Sequence, residues 1–257
     1  MESTLNKEFN FERPPIWEII DTKVRTRNIL FVFVSSLFVY PAVTIISLLF
    51  LLQLNNLFNL EYTMLANVLA PVFGALVTIF FASNALKTDV NIKDWLNLRR
   101  FHLSHLFKGA FIGIILWLCI QIALSLFVIV FNVEISSSNT SQQLSSTIGI
   151  ESILLSFLVT PIIIPIFEEL LFRGLIRNLF LKLFIKPTRQ AHVIAIICSS
   201  VLFSALHYQG HSSFTDLAPL FATFVVGIVN SVLVIKYKSI YPAIASHSAY
   251  NFVTILL

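Results

Sequence analysis

The sequence predicts an all-α, polytopic membrane protein, a bundle of about seven transmembrane helices with an eighth admissible. Three observations predict it. The 257 residues are 57% hydrophobic and 12% charged, against about 25% charged in an ordinary soluble domain. The apolar residues gather into runs of about 18 or more, the length a helix needs to cross hydrocarbon while satisfying its own backbone. The lysines and arginines fall in alternate loops, as insertion topology requires.

Taken in order, the runs cover residues 29–52, 64–86, 109–131, 148–167, 191–206, 217–235 and 240–257. The first is too long for a signal-peptide core and follows a charged, aromatic arm, so it is expected to remain uncleaved. The chain divides into a cytosolic arm (1–28), three N-terminal transmembrane helices (29–147) and a core (148–257) that holds the polar motifs described below.

All 17 basic residues lie on one side of this topology. The arm carries five, the loop at 87–108 five, the stretch at 173–189 five, and Lys236 and Lys238 complete the set. The intervening loops at 53–63, 132–147 and 207–216 carry none. A cytosolic N-terminus in the cell membrane follows, with anionic lipid headgroups as the partner of the basic loops. No basic stretch is interleaved with exposed aromatics, which leaves no nucleic-acid partner.

The polar stretch 132–147 reads as an external loop. Apolar residues at Ile92, Trp95, Leu96, Leu98, Leu103, Leu106 and Phe107 predict an interfacial helix on the membrane surface, with His102 and His105 toward the headgroups. Cys119 and Cys198 both fall inside spans, where a small apolar thiol is the expected role and no disulfide framework is supported.

The segment PIFEELLFRGLI, from Pro165 to Ile176, places Glu168, Glu169 and Arg173 in a greasy run. Each ionisable residue inside a span costs about 2.5–3.5 kcal/mol, so the three together cost roughly 8–10. One reading is that the helix leaves the membrane at Phe167 and these residues are solvated. The other is that they are held for use. Glu169 and Arg173, four apart with the acid first, form an ion pair along the helix. Glu168 is rotated by about 100° and has no such partner. A carboxylate left over in a poorly solvated cleft can accept and return a proton, as general base catalysis on water requires. Two later spans carry polar residues at the same period: Phe203 and His207 in FSALH, His247 and Asn251 in HSAYN. Two histidines, an asparagine and a glutamate on three apolar helices argue for a shared functional cavity.

The ordered triple Glu-Glu-x-x-x-Arg, Phe-x-x-x-His and His-x-x-x-Asn resembles the CPBP family, the CAAX-prenyl-endopeptidase and bacteriocin-processing intramembrane proteases, also called Abi. The resemblance covers residues 152–252. It implies an intramembrane endopeptidase in which Glu168 and His207 activate a water, His247 and Asn251 donate hydrogen bonds to the oxyanion, Glu169 and Arg173 support the site, and Phe203 packs beside it. Its substrates would be membrane-anchored peptides or proteins: prenylated CAAX ends in eukaryotes, or bacteriocin, pheromone or regulator precursors in bacteria. Family members have been described both as metal-dependent and as metal-free, and the sequence lacks HExxH. If zinc is present, Glu168, His207 and His247 are its ligands, with His211 one helical turn from His207 as a further candidate. A non-catalytic bacteriocin immunity protein or membrane receptor of the same fold is the alternative. A proton-coupled transporter is a third reading, without the repeated halves common in transporters.

One geometric requirement follows. Glu168 lies near the cytosolic end of its run, whereas His207 lies about 24 Å along the fifth. They meet only if the fourth and fifth helices project into the cytosol. The polar HYQGHSSFTD would then begin within the depth of the bilayer, covered by protein or a watery cavity.

Overall fold

A computed structural model describes residues 26–58, 63–86, 91–98, 100–131, 153–183, 188–208 and 217–257. Most of the arm, the 132–147 loop, and His211 with most of its polar stretch lie outside them. Among the described residues the regular elements are eight helices. They are α1 (Thr26–Leu57), α2 (Thr63–Leu86), the single turn α3 (Ile92–Trp95), α4 (Leu103–Phe131), the composite α5, α6 (Arg189–Ala205), α7 (Leu217–Tyr237) and α8 (Tyr241–Leu256). The rod α5 runs through four consecutive segments, Leu155–Ile163, Ile164–Glu169, Leu170–Ile176 and Arg177–Lys182, of which the first and third are π-helical.

Over its described residues each of the seven apolar runs falls on a helix, and the all-α membrane bundle stands. Among the described residues, four helices (Ile29–Leu57, Ala66–Leu86, Leu103–Phe131 and Leu217–Tyr237) are long and apolar enough by themselves to cross a membrane. The other three fall short in unbroken length: α5 is divided into segments of 9, 6, 7 and 6 residues, and α6 and α8 are 17 and 16 residues long.

The helices turn their fat outward. On α6, Val193, Ile194, Ile197 and Val201 are exposed, while Ala195, Ser199, Ser200 and Phe203 face inward. Small residues inside and large apolar ones outside are what packing in lipid favours, because burying leucine gains nothing there and close backbone approach does. The tightest approach is between α4 and α8. A Cβ added to Gly109 would collide with the Pro242 carbonyl, and one added to Gly113 with that of Ser246, next to His247.

The rod α5 sits centrally, touching α2, α6, α7 and α8. One buried apolar cluster joins Ile29, Ala82 and Leu86 of the N-terminal helices to Leu171, Phe172 and Leu175 of α5 and Phe203 of α6. The predicted interfacial helix is not formed. Residues 92–95 make one turn, capped by the Asn91 side chain on Lys93 N–H. Trp95 and Leu96 are buried, with Leu96 against Gly174. The cause is a polar tie: Asn178 donates from Nδ2 to the carbonyls of Trp95 and Gly174, both at 2.7 Å. Arg177 in turn bonds Asn178 Oδ1 at 2.8 Å and reaches the Ser231 carbonyl at 3.4 Å. His102 is exposed and stacks edge-on with His105, 4.8 Å between centroids, rather than lying on a helical face.

Candidate active site

Glu168 sits at the middle of α5, which continues as helix to Lys182. The solvated reading of the charged stretch fails for Glu169 and Arg173, while Glu168 stays partly exposed. Glu169 and Arg173 are both completely buried, and Arg177 nearly so. Arg173 Nη1 lies 3.0 Å from Glu169 Oε1 across one turn of the helix. The guanidinium also covers the Phe203 ring at 4.2 Å, a cation–π contact of about 2 kcal/mol when desolvated.

Two helices, α6 and α8, bring the remaining groups to Glu168. His207 follows α6 in the turn that closes it, with Nδ1 at 2.8 Å from the Phe203 carbonyl. A carbonyl only accepts, so Nδ1 carries the proton and Nε2 points toward Glu168 Oε1 at 3.8 Å. His247, on α8, contacts Glu169 Oε1 through Nδ1 at 2.9 Å and presents Nε2 to Glu168 Oε2 at 3.7 Å. The Phe203 ring packs beneath both imidazoles, 4.6 Å from His207 and 5.7 Å from His247. The side chains of Glu168 and His207 are 15% and 33% exposed, whereas those of His247 and Glu169 are at 6% and 0%, so solvent reaches the first pair and not the second. Separations of 3.7–3.8 Å are too long for direct hydrogen bonds.

Asn251 is placed differently from the expectation. Its Nδ2 donates to the Thr160 carbonyl of α5 at 3.2 Å. That acceptor is free for a reason written in the sequence. In the π register Ile164 N–H bonds the Val159 carbonyl, so the next donor in line would be residue 165, which is proline and has none. One N–H of the Asn251 amide remains uncommitted by this bond.

One residue of the site is absent from the sequence motifs. Asn230 of α7 donates to Glu169 Oε1 at 3.0 Å. Its signal was available, since a buried amide in the apolar GIVNSVL is as costly as any other intramembrane polar group.

Among the described residues no group of three or more His, Cys, Asp or Glu is arranged to hold a metal ion. Of the three groups expected as ligands if zinc is present, Glu168 lies 3.8 Å from Nε2 of His207 and 3.7 Å from Nε2 of His247.

An acid between two imidazoles, reached by solvent on one side and braced by a buried ion pair on the other, forms the candidate site of an outward-apolar helical membrane bundle. Residues 150–253, which contain every group of that site, match the family of type II CAAX prenyl endopeptidases described as Rce1-like. This segment is similar to that family, and the CPBP resemblance drawn from the three motifs agrees with it. The match supports a CAAX-type intramembrane protease at the level of the family. No curated protein and no solved structure matches the chain.

Proposed function

We propose that the protein is an intramembrane endopeptidase that hydrolyses peptide bonds of membrane-anchored substrates with a water held by Glu168 and His207. The observation that carries this reading is the convergence of Glu168 on both imidazoles, Oε1 toward His207 and Oε2 toward His247. Two acceptors, a carboxylate oxygen and a lone-pair Nε2, face each other at 3.8 Å. A water between them donates one proton to each and turns a lone pair outward to the substrate.

Attack forms the C–O bond as Glu168 takes the proton. His247 in its doubly protonated form and the uncommitted N–H of Asn251 stabilise the oxyanion. Collapse breaks the C–N bond, and the proton passes from Glu168 to the leaving amine. No step requires a metal, and zinc content measured on the same samples reports whether one takes part. Glu169 and Arg173 support His247, and Phe203 holds both rings in place.

Membrane lipid surrounds the bundle, and a lipid-anchored or membrane-embedded peptide reaches the centre by diffusion in two dimensions. Prenylated CAAX ends are the substrates that the family description favours; bacteriocin or pheromone precursors are the other class. The division at residue 148 into N-terminal helices and a catalytic core, a cytosolic N-terminus and residence in the cell membrane belong to the same proposal. Cleavage of a membrane-anchored peptide library by the wild type and by Glu168→Ala, His207→Ala and His247→Ala tests it. Loss in all three variants is expected, and undiminished cleavage by all three would refute it.

A further inference from the structure

We infer that Asn230 is a positioning residue that acts through Glu169 on His247, an inference that rests on the hydrolytic reading above. Three groups from three helices converge on one oxygen, Glu169 Oε1: Arg173 Nη1 at 3.0 Å, His247 Nδ1 at 2.9 Å and Asn230 Nδ2 at 3.0 Å. The other oxygen, Oε2, is buried and has no hydrogen-bond partner among the described residues. Arg173 stands on the same helix as Glu169 and moves with it. Asn230 approaches from α7 and His247 from α8, so together they fix the carboxylate against rotation.

The orientation of Asn230 is set chemically. Reversing its amide would turn Oδ1 on Glu169 and oppose two acceptors. In the observed orientation Oδ1 is buried and unpartnered, so the bond to Glu169 is what holds the amide in place. Neighbouring polar residues differ. Ser231 bonds the Gly227 carbonyl of its own helix, and Asn178 bonds two main-chain carbonyls. Those are ties between backbones, whereas the hydrogen bond of Asn230 goes to a side chain of the reaction centre. The wall around it is shaped for close approach: a Cβ on Gly227, one turn earlier, would lie 2.9 Å from Ser200 Oγ and 3.2 Å from Arg173 Nη2.

With Glu169 fixed, His247 keeps its proton on Nδ1 and its Nε2 on Glu168. Without Asn230 the carboxylate turns, and the His247 ring loses the acceptor that fixes its orientation. Wild type, Asn230→Leu, Asn230→Ser, Glu169→Gln and the double variant Asn230→Leu/Glu169→Gln are purified in detergent and assayed with one membrane-anchored peptide, beside Glu168→Ala. Asn230→Leu is expected to lower kcat tenfold or more while KM stays within twofold. In the Glu169→Gln background it is expected to cost less than twofold further, because the group it acts through is already gone. A purely structural role would instead multiply the two losses or raise KM. If Asn230→Leu does not fold, Asn230→Ser is read in its place. Independently of activity, the ring nitrogens of His247, followed by 15N NMR, are expected to show an Nδ1–H hydrogen-bonded to Glu169 in the wild type and a shifted, exchange-broadened Nδ1–H signal in the Asn230 variants. A wild-type kcat in Asn230→Leu together with an inactive Glu168→Ala, or an unchanged His247 signal, would overturn the inference. Full activity in Glu168→Ala would overturn the hydrolytic reading instead, and the His247 signal would still decide the role of Asn230.

Discussion

Glu169 Oε1 holds His247 Nδ1 at 2.9 Å, while Glu168, its neighbour in sequence, stands 3.7 Å from Nε2 of the same ring. Consecutive carboxylates thus take opposite edges of one imidazole, and the roughly 100° between successive helical residues decides which is buried. The buried one is structural as well as functional. Removing one partner of a buried ion pair leaves the other uncompensated and costs about 3–5 kcal/mol. Glu169→Ala is expected to lose that much stability by exposing the deficit of Arg173. Glu168→Ala, at a site that solvent reaches, is expected to change stability by less than about 1 kcal/mol. Unfolding of both variants in detergent measures the contrast.

The contact between α4 and α8 predicts a second effect. Gly113 lies against the Ser246 carbonyl, so Gly113→Val must push α8 away from α4. Forcing side-chain volume into such a contact costs about 1–3 kcal/mol, and a displacement near 1 Å at His247 lowers kcat by about 10²-fold. Ile115→Ala, on the outer side of α4, serves as the control, with a change within about 0.5 kcal/mol. Thermal stability and kcat of the two variants test the pair.

A third expectation concerns proline. Asn251 reaches the Thr160 carbonyl because residue 165 offers no N–H. Asn251→Ala is expected to cost about 1 kcal/mol in the wild type, the net worth of one hydrogen bond. In a Pro165→Ala background the backbone regains a donor for that carbonyl, and the same substitution is expected to cost less than half as much. A double-mutant cycle on stability reads the coupling.

Asn178→Leu provides the fourth. It strips the Trp95 carbonyl of its donor and leaves the Arg177 guanidinium short of a partner, at a cost of about 1–3 kcal/mol. The tie lies away from Glu168, so kcat per folded molecule is expected to remain within twofold. Cleavage rate normalised to folded protein checks it.

Much of this arrangement is legible in the sequence because lipid makes polarity expensive. Seven apolar runs mark seven helices, and Glu168, His207 and His247 stand out as groups that no spanning helix carries without cause. Asn230 is open to the same argument, yet it belongs to no spaced pair and so draws no attention. The failures have a different origin. The apolar spacing of Ile92, Trp95 and Leu96 fits a helix on a membrane surface equally well as a plug in a core, and a hydrogen bond from Asn178, 83 positions later in the chain, decides between them. The proline pair Pro161 and Pro165 announces irregularity in α5 but not its π register, and without the register the partner of Asn251 is out of view.

Glu168 carries the central claim, and the most direct measurement is the rate at which Glu168→Ala cleaves a membrane-anchored peptide that the wild type cleaves, with products identified by mass. The account predicts a fall of about 10²–10⁴-fold, the usual contribution of a general base, in a protein that unfolds at the wild-type temperature. Cleavage of the same bond at the wild-type rate would contradict it.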